Sequence, residues 1–114
     1  MGLFSWLFGP TVETVEVSDV RRLMGEGATL IDVREPHEWA QSHVQGAKHV
    51  PLRSLERELS KLRTDRQLLF FCRTGSRAAR ATDMASKRGW DAKNVRGGLV
   101  AWTRAGLPLK TGRR

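Results

Sequence analysis

The chain has 114 residues, enough for one domain that buries a core without disulfides or metal. Its one cysteine, Cys72, excludes an internal disulfide, a Cys-x-x-Cys redox pair and a cysteine-rich zinc site, while 39% hydrophobic and 28% charged residues is the composition of a soluble globular protein. The net charge of +8 is uneven: residues 1–60 hold six basic residues against nine acids (−3), and residues 61–114 hold 14 against three (+11), so the half that carries Cys72 favours an anionic substrate or an acidic partner.

Residues 1–10 read as an apolar arm, too short to span a bilayer and without the positive start and cleavage site of a signal peptide. Trp6 stands where the myristoylation pattern needs Ser or Thr, and the cytoplasm is the expected compartment. Leu3, Phe4, Leu7 and Phe8 share one face of a short helix stopped by Gly9-Pro10. Docking of that face onto the domain or a second copy of the chain is preferred to weak membrane contact, because no basic face accompanies it.

Residues 11–110 alternate apolar runs with amphipathic stretches, which predicts an α/β domain with about five mostly parallel strands and helices on both faces. Strands are expected near Val12 to Val17, Thr29 to Val33, Ala47 to Val50, Leu68 to Phe71 and Ala92 to Val95. Ser18 is the expected N-cap of a helix through Met24, stopped by Gly25 and Gly27; Pro36 starts a short helix through Ser42, and Ser54 opens one through Leu62. The helix after Cys72 runs to about Arg88 with Gly89 as its stop, and the last spans roughly Leu99 to Ala105, closed by Gly106 and Pro108. No repeat or linker marks a second domain, and residues 111–114 are a basic tail.

Ligands of an open parallel sheet sit beyond the carboxyl ends of its strands. Three such ends carry chemistry: Asp32-Val33-Arg34-Glu35, Cys72, and Arg96-Gly97-Gly98. The thiol loop is Cys72-Arg73-Thr74-Gly75-Ser76-Arg77, placed between the apolar run Leu68-Leu69-Phe70-Phe71 and a helix-forming stretch. A thiol at a strand end that opens a helix meets unpaired N–H groups and the positive end of the helix dipole, and Arg73 and Arg77 flank it. Both favour the thiolate, the nucleophilic form. Most lone buried cysteines are inert small hydrophobes, but the polar, glycine-containing loop argues against that here.

In the neighbouring segments, Asp32 is expected to accept from loop N–H groups or an arginine, as support rather than as an acid catalyst. Glu38 follows Arg34 by four residues and is expected to brace the loop through Arg34 or Arg77. Arg73 is the expected exposed anion contact, with Arg77 turned inward. His37, His43 and His49 lack metal-ligand spacing, so neither metal nor cofactor is expected, and His43 reads as a satisfied structural histidine. Trp39, Trp90 and Trp102 read as packing residues, Trp102 also as a wall of the crevice. Specific nucleic-acid binding is not expected, since the scattered Lys and Arg accompany no recognition motif.

The chain resembles a single-domain rhodanese, a thiosulfate sulfurtransferase. The resemblance lies in Leu30-Ile31-Asp32-Val33-Arg34-Glu35-Pro36-His37-Glu38-Trp39, His43-Val44-Gln45-Gly46-Ala47 with Val50-Pro51-Leu52, the Cys72 loop, and Gly97-Gly98-Leu99-Val100-Ala101-Trp102 with Gly106-Leu107-Pro108. It implies that Cys72 takes a sulfur from a small anionic donor such as thiosulfate or a persulfide and passes it, as the outer sulfur of a cysteine persulfide, to cyanide, a thiol or a thiol-bearing protein. Holding a persulfide anion needs several inward N–H donors rather than a base; a nest of amides supplies them, with Gly75 relaxing the backbone and the Thr74 and Ser76 hydroxyls adding donors. Cysteine phosphatases place five residues between Cys and Arg, whereas four separate Cys72 from Arg77, a tighter cradle that suits one sulfur atom better than a phosphoryl group. A sulfur-relay carrier that docks a protein on the +11 half, and a noncatalytic binding module, are the alternative readings.

Overall fold

A computed structural model describes residues 12–62 and 65–112. The arm at residues 1–10 and the last two residues of the basic tail lie outside the described residues. In chain order the elements are β1 (Thr14–Val15), α1 (Val17–Gly25), β2 (Thr29–Asp32), α2 (Pro36–Gln41), β3 (Lys48–His49), a 3-10 turn (Leu52–Ser54), α3 (Leu55–Leu59), β4 (Leu68–Phe71), α4 (Ser76–Lys87), β5 (Ala92–Val95) and α5 (Gly98–Arg104).

The strands form one sheet in the order β1-β5-β4-β2-β3, with every pairing parallel. β4 is the central strand and is buried at all four positions, as an apolar run covered on both faces requires. Its alternate residues feed two cores. Leu68, Phe70 and Cys72 join Ile31, Val33, Leu55 and Leu59 of α3, and Ala78, Ala81 and Ala85 of α4. Leu69 and Phe71 join Val20 of α1, Leu30, Val95 and Trp102 of α5.

The sequence-based boundaries shift where strands lie at an edge. β1 and β3 each have one neighbour and shrink to two residues, shorter than the runs that announce them. Because β1 ends at Val15, the chain turns into α1 at once: Glu16, with extended backbone, is the N-cap, and Ser18 lies inside the first turn rather than capping it. Ser54 is the N-cap of α3 but gives no side-chain bond, and the helix ends at Leu59, not Leu62. Trp102 is also corrected. It packs edge-on to Phe71 and donates Nε1–H to the Pro108 carbonyl at 3.0 Å, in the core opposite the one that holds Cys72, so it does not wall the thiol crevice.

The two glycines that open α5 let it approach β4 closely. Leu99 donates its N–H to the Cys72 carbonyl at 2.9 Å, and Val100 donates to that of Arg73 at 3.1 Å. A Cβ on Gly98 would stand 2.1 Å from the Cys72 oxygen and 2.9 Å from the Arg73 carbonyl, and φ is +49° there. The opposing atoms are backbone and have nowhere to go. Gly98→Ala is therefore expected to lower stability by at least about 2 kcal/mol, from left-handed strain plus the clash, measured by denaturant unfolding.

Candidate active site

Cys72 follows the last residue of β4 and is fully buried. The next three residues turn the chain, and Gly75, at φ +109°, is the N-cap of α4. The helix thus opens at Ser76 rather than directly after the thiol. The turn folds the loop back over the sulfur: Sγ accepts the Gly75 N–H at 3.0 Å and the Ala78 N–H at 3.3 Å. Gly75 and Ala78 are the N-cap and third residue of α4, so sulfur replaces the usual N-cap oxygen as partner of an orphan helical N–H. Two amide donors and the positive end of a 12-residue helix favour negative charge on sulfur. The hydroxyls of Thr74 and Ser76 do not join them. Both residues are exposed and neither bonds to Sγ, because the turn leaves its backbone, not its side chains, facing inward.

Arg77 and Arg73 of the thiol loop and Arg34 after β2 lie in distinct environments. Arg77, in the first turn of α4, meets Glu38 of α2 through two bonds, Nη1–Oε1 at 2.7 Å and Nη2–Oε2 at 3.0 Å. Glu38 also accepts the Glu35 N–H at 2.9 Å, closing the first turn of α2. The Arg77 bond is the main cause that draws the Glu38 carboxyl down from 4.5 to about 2; burial works against it, and the Glu35 N–H adds to the lowering. Arg77 is held above its ordinary value first by the same bond; burial works against it, and the Glu38 charge adds to the raising.

Arg34 is spoken for elsewhere. Its side chain is 2% exposed and grips Asp32, itself fully buried, with Nε 3.0 Å from both carboxylate oxygens and Nη2 2.8 Å from Oδ2. Nη2 also donates to the Ser42 carbonyl at 2.7 Å and Nη1 to that of Glu38 at 3.4 Å, at the end of α2. Of the two partners weighed for Glu38, its carboxylate takes Arg77; Arg34 touches only its carbonyl. Asp32 accepts from the Arg34 backbone and side chain, not from the thiol loop. Arg73 remains exposed and pairs with no acid among the described residues.

The histidines support this frame. His43 Nδ1 bonds the Trp39 carbonyl at 2.9 Å and its ring stacks on Trp39 at 3.7 Å, with His49 stacked on the same indole at 4.8 Å. His49 Nε2 donates to the Arg34 carbonyl at 2.8 Å, a link that no sequence signal announced. Among the described residues no group of three or more His, Cys, Asp or Glu is placed to hold a metal ion, and no helix is long and apolar enough to cross a membrane.

Fold and site together define a parallel α/β domain that holds a buried cysteine thiol against two backbone amides at a strand end. The family model for the rhodanese-like domain matches residues 16–105, and the chain belongs to that family. Among its relatives is a sulfurtransferase of Allochromatium vinosum, 34% identical over 85 residues that cover 74% of this chain and 79% of the relative. Another is the thiosulfate sulfurtransferase GlpE of Actinobacillus pleuropneumoniae serotype 7, 34% identical over 87 residues, covering 75% and 81% respectively. The fold is similar to that of a rhodanese-related protein from Thermoplasma volcanium, with a TM-score of 0.80 at 26% identity over 86% of this chain and 97% of that one. Family and relatives support sulfur transfer as the general activity.

The Glu38–Arg77 pair makes two predictions. Glu38→Gln and Arg77→Met each strand a half-buried partner and are expected to cost about 1–2 kcal/mol, less than a fully buried pair because both side chains keep some water contact. In denaturant melts the double variant should lose less than the summed single losses, since the second change removes the stranded group. A carboxyl with a depressed folded value stabilises the fold fully above its unfolded value and loses that effect as pH falls through the folded one. The stability gap between wild type and Glu38→Gln should therefore hold from neutral pH down to 4.5 and close as pH falls toward about 2.

Proposed function

We propose that the protein is a cytoplasmic thiosulfate sulfurtransferase that works through a persulfide on Cys72. The observation that carries this reading is the pair of backbone donors on Sγ, from Gly75 at 3.0 Å and Ala78 at 3.3 Å. The Cys72 thiolate attacks the sulfane sulfur of thiosulfate. An S–S bond forms to Cys72, that of thiosulfate breaks, and sulfite leaves with the bonding electrons. Cyanide or a thiolate then attacks the outer sulfur and leaves Cys72 as thiolate again. With cyanide no proton moves in either half-reaction, so the site needs fixed positive dipoles rather than an acid and base, which fits a cradle made of amides.

Arg73 is the donor contact in this scheme: it is exposed and lacks an acid partner among the described residues, whereas Arg34 and Arg77 are held by Asp32 and Glu38. Because Cys72 is fully buried, slender donors and acceptors should react faster than bulky ones. Asp32, Arg34 and Glu38 act as supports. A thiol-bearing protein remains an eligible acceptor, drawn by the basic half of the chain.

Incubation with thiosulfate followed by intact mass measurement should show a gain of one sulfur, removed by cyanide, and Cys72→Ser should show neither the gain nor turnover. A wild type that gains no sulfur from thiosulfate or another persulfide donor would favour a binding module. Arg73→Ala should raise KM for thiosulfate about fivefold, as loss of one exposed charge contact does, with a smaller change in kcat; wild-type kcat/KM should fall as salt rises. A salt-independent kcat/KM together with an unchanged Arg73→Ala would place the donor contact elsewhere.

A further inference from the structure

Asn94 is a carboxamide where the sheet otherwise buries apolar groups. It lies on β5, is 8% exposed, and pairs in register with Phe70, two residues before Cys72. Strand alternation puts Asn94 on the same face as Ala92, and Ala92 belongs to the core of Phe70, Cys72, Ala78 and Ala81. The side chain therefore lies under the start of α4. Its Oδ1 is buried and has no hydrogen-bond partner. Its Nδ2 stands 3.8 Å from the point a Cβ on Gly75 would occupy.

Buried amide oxygens are nearly always paired, and leaving one unpaired destabilises a fold. An apolar side chain of similar volume would avoid that cost, so core packing gives no reason for the residue. What the carboxamide adds is orientation. The positive, N–H₂ end of its dipole lies toward Gly75, whose own N–H donates to Sγ at 3.0 Å, and the negative end lies in the core. Of the acids beside the site, Glu38 is tied to Arg77 and Asp32 to Arg34.

We propose that Asn94 is a positioning residue for the sulfur site, supporting Gly75 from below and directing the positive end of a fixed dipole at the anionic sulfur of the thiolate and persulfide. The inference rests on the persulfide reading of Cys72. It places Asn94 among residues whose local cost is retained for chemistry, because a dipole fixed before reaction needs no reorganisation as charge moves onto sulfur.

The test uses full-length Asn94→Leu, which keeps volume and removes the dipole, and Asn94→Ala, which cannot crowd the site, with single-turnover persulfide formation from thiosulfate followed beside denaturant unfolding. Asn94→Leu should be at least as stable as wild type, since the unpaired oxygen is gone. Its limiting rate should fall about tenfold, below the loss seen on removing a direct donor. Half-saturation by thiosulfate should stay within about twofold of wild type, unlike Arg73→Ala, because the dipole acts on the reacting sulfur rather than on donor capture. If Asn94→Leu does not fold, Asn94→Ala is read by the rate and half-saturation criteria. A variant that forms persulfide at the wild-type rate, or whose loss of rate only follows its loss of folded protein, overturns the role given to Asn94. A wild type that takes no sulfur overturns the persulfide reading itself.

Discussion

The fold converges on the peptide that ends β4. The carbonyl of Cys72 takes an N–H from the first turn of α5, and its sulfur takes one from the N-cap and one from the first turn of α4. Two helices on opposite faces of the sheet thus have backbone donors satisfied by one residue. That is possible only because Gly98 has no side chain to hold α5 away from Cys72 and Gly75 takes a backbone turn that other residues avoid. Four buried positions on β4 keep the strand end from moving, so the sulfur has a fixed place before any substrate arrives.

Around that point the charges are arranged so that most of the cationic character is structural. Arg34 ties Asp32 at the end of β2 to the Ser42 and Glu38 carbonyls of α2, and Arg77 ties α4 to α2 through the Glu38 carboxylate. The first pair lies almost entirely out of water; its value is orientation more than net stability, since desolvation of two charges offsets much of their attraction. With those guanidinium groups satisfied, Arg73 is left at the surface with no acid partner among the described residues. The paired cations and the unpaired one are distinguished, among the described residues, by whether an acid lies within reach.

The chemistry follows from the same division. The persulfide proposed for Cys72 would need a place where negative charge is welcome, and the backbone amides of Gly75 and Ala78 supply one without a proton of their own to gain or lose. His43 and His49 instead stack on Trp39 and bond to carbonyls, roles in holding the end of β2 and α2 together. The fold by itself would accommodate many reactions; the amide-bonded thiol narrows them.

Much of this was legible in the residues. The unbroken apolar run Leu68-Leu69-Phe70-Phe71 marked the central strand, because a strand covered on both faces there is apolar throughout; Thr29 to Val33 and Ala92 to Val95 marked its two neighbours despite Asp32, Lys93 and Asn94, and the Cys72 loop marked the candidate site. The glycine pair at 97–98 announced a close backbone approach but not its partner. Edge strands were overread, since an apolar run says nothing about how many neighbours a strand has. Ser18 was misread as a cap because only the length of β1 sets where α1 begins. The arginine partners, the exclusion of the Thr74 and Ser76 hydroxyls from the sulfur, the place of Trp102 on the far face and the unpaired oxygen of Asn94 were decided by tertiary structure alone. Each depends on which elements lie side by side in the order β1-β5-β4-β2-β3, and residues 39 positions apart, such as Glu38 and Arg77, carry no local pattern that tells them they will meet.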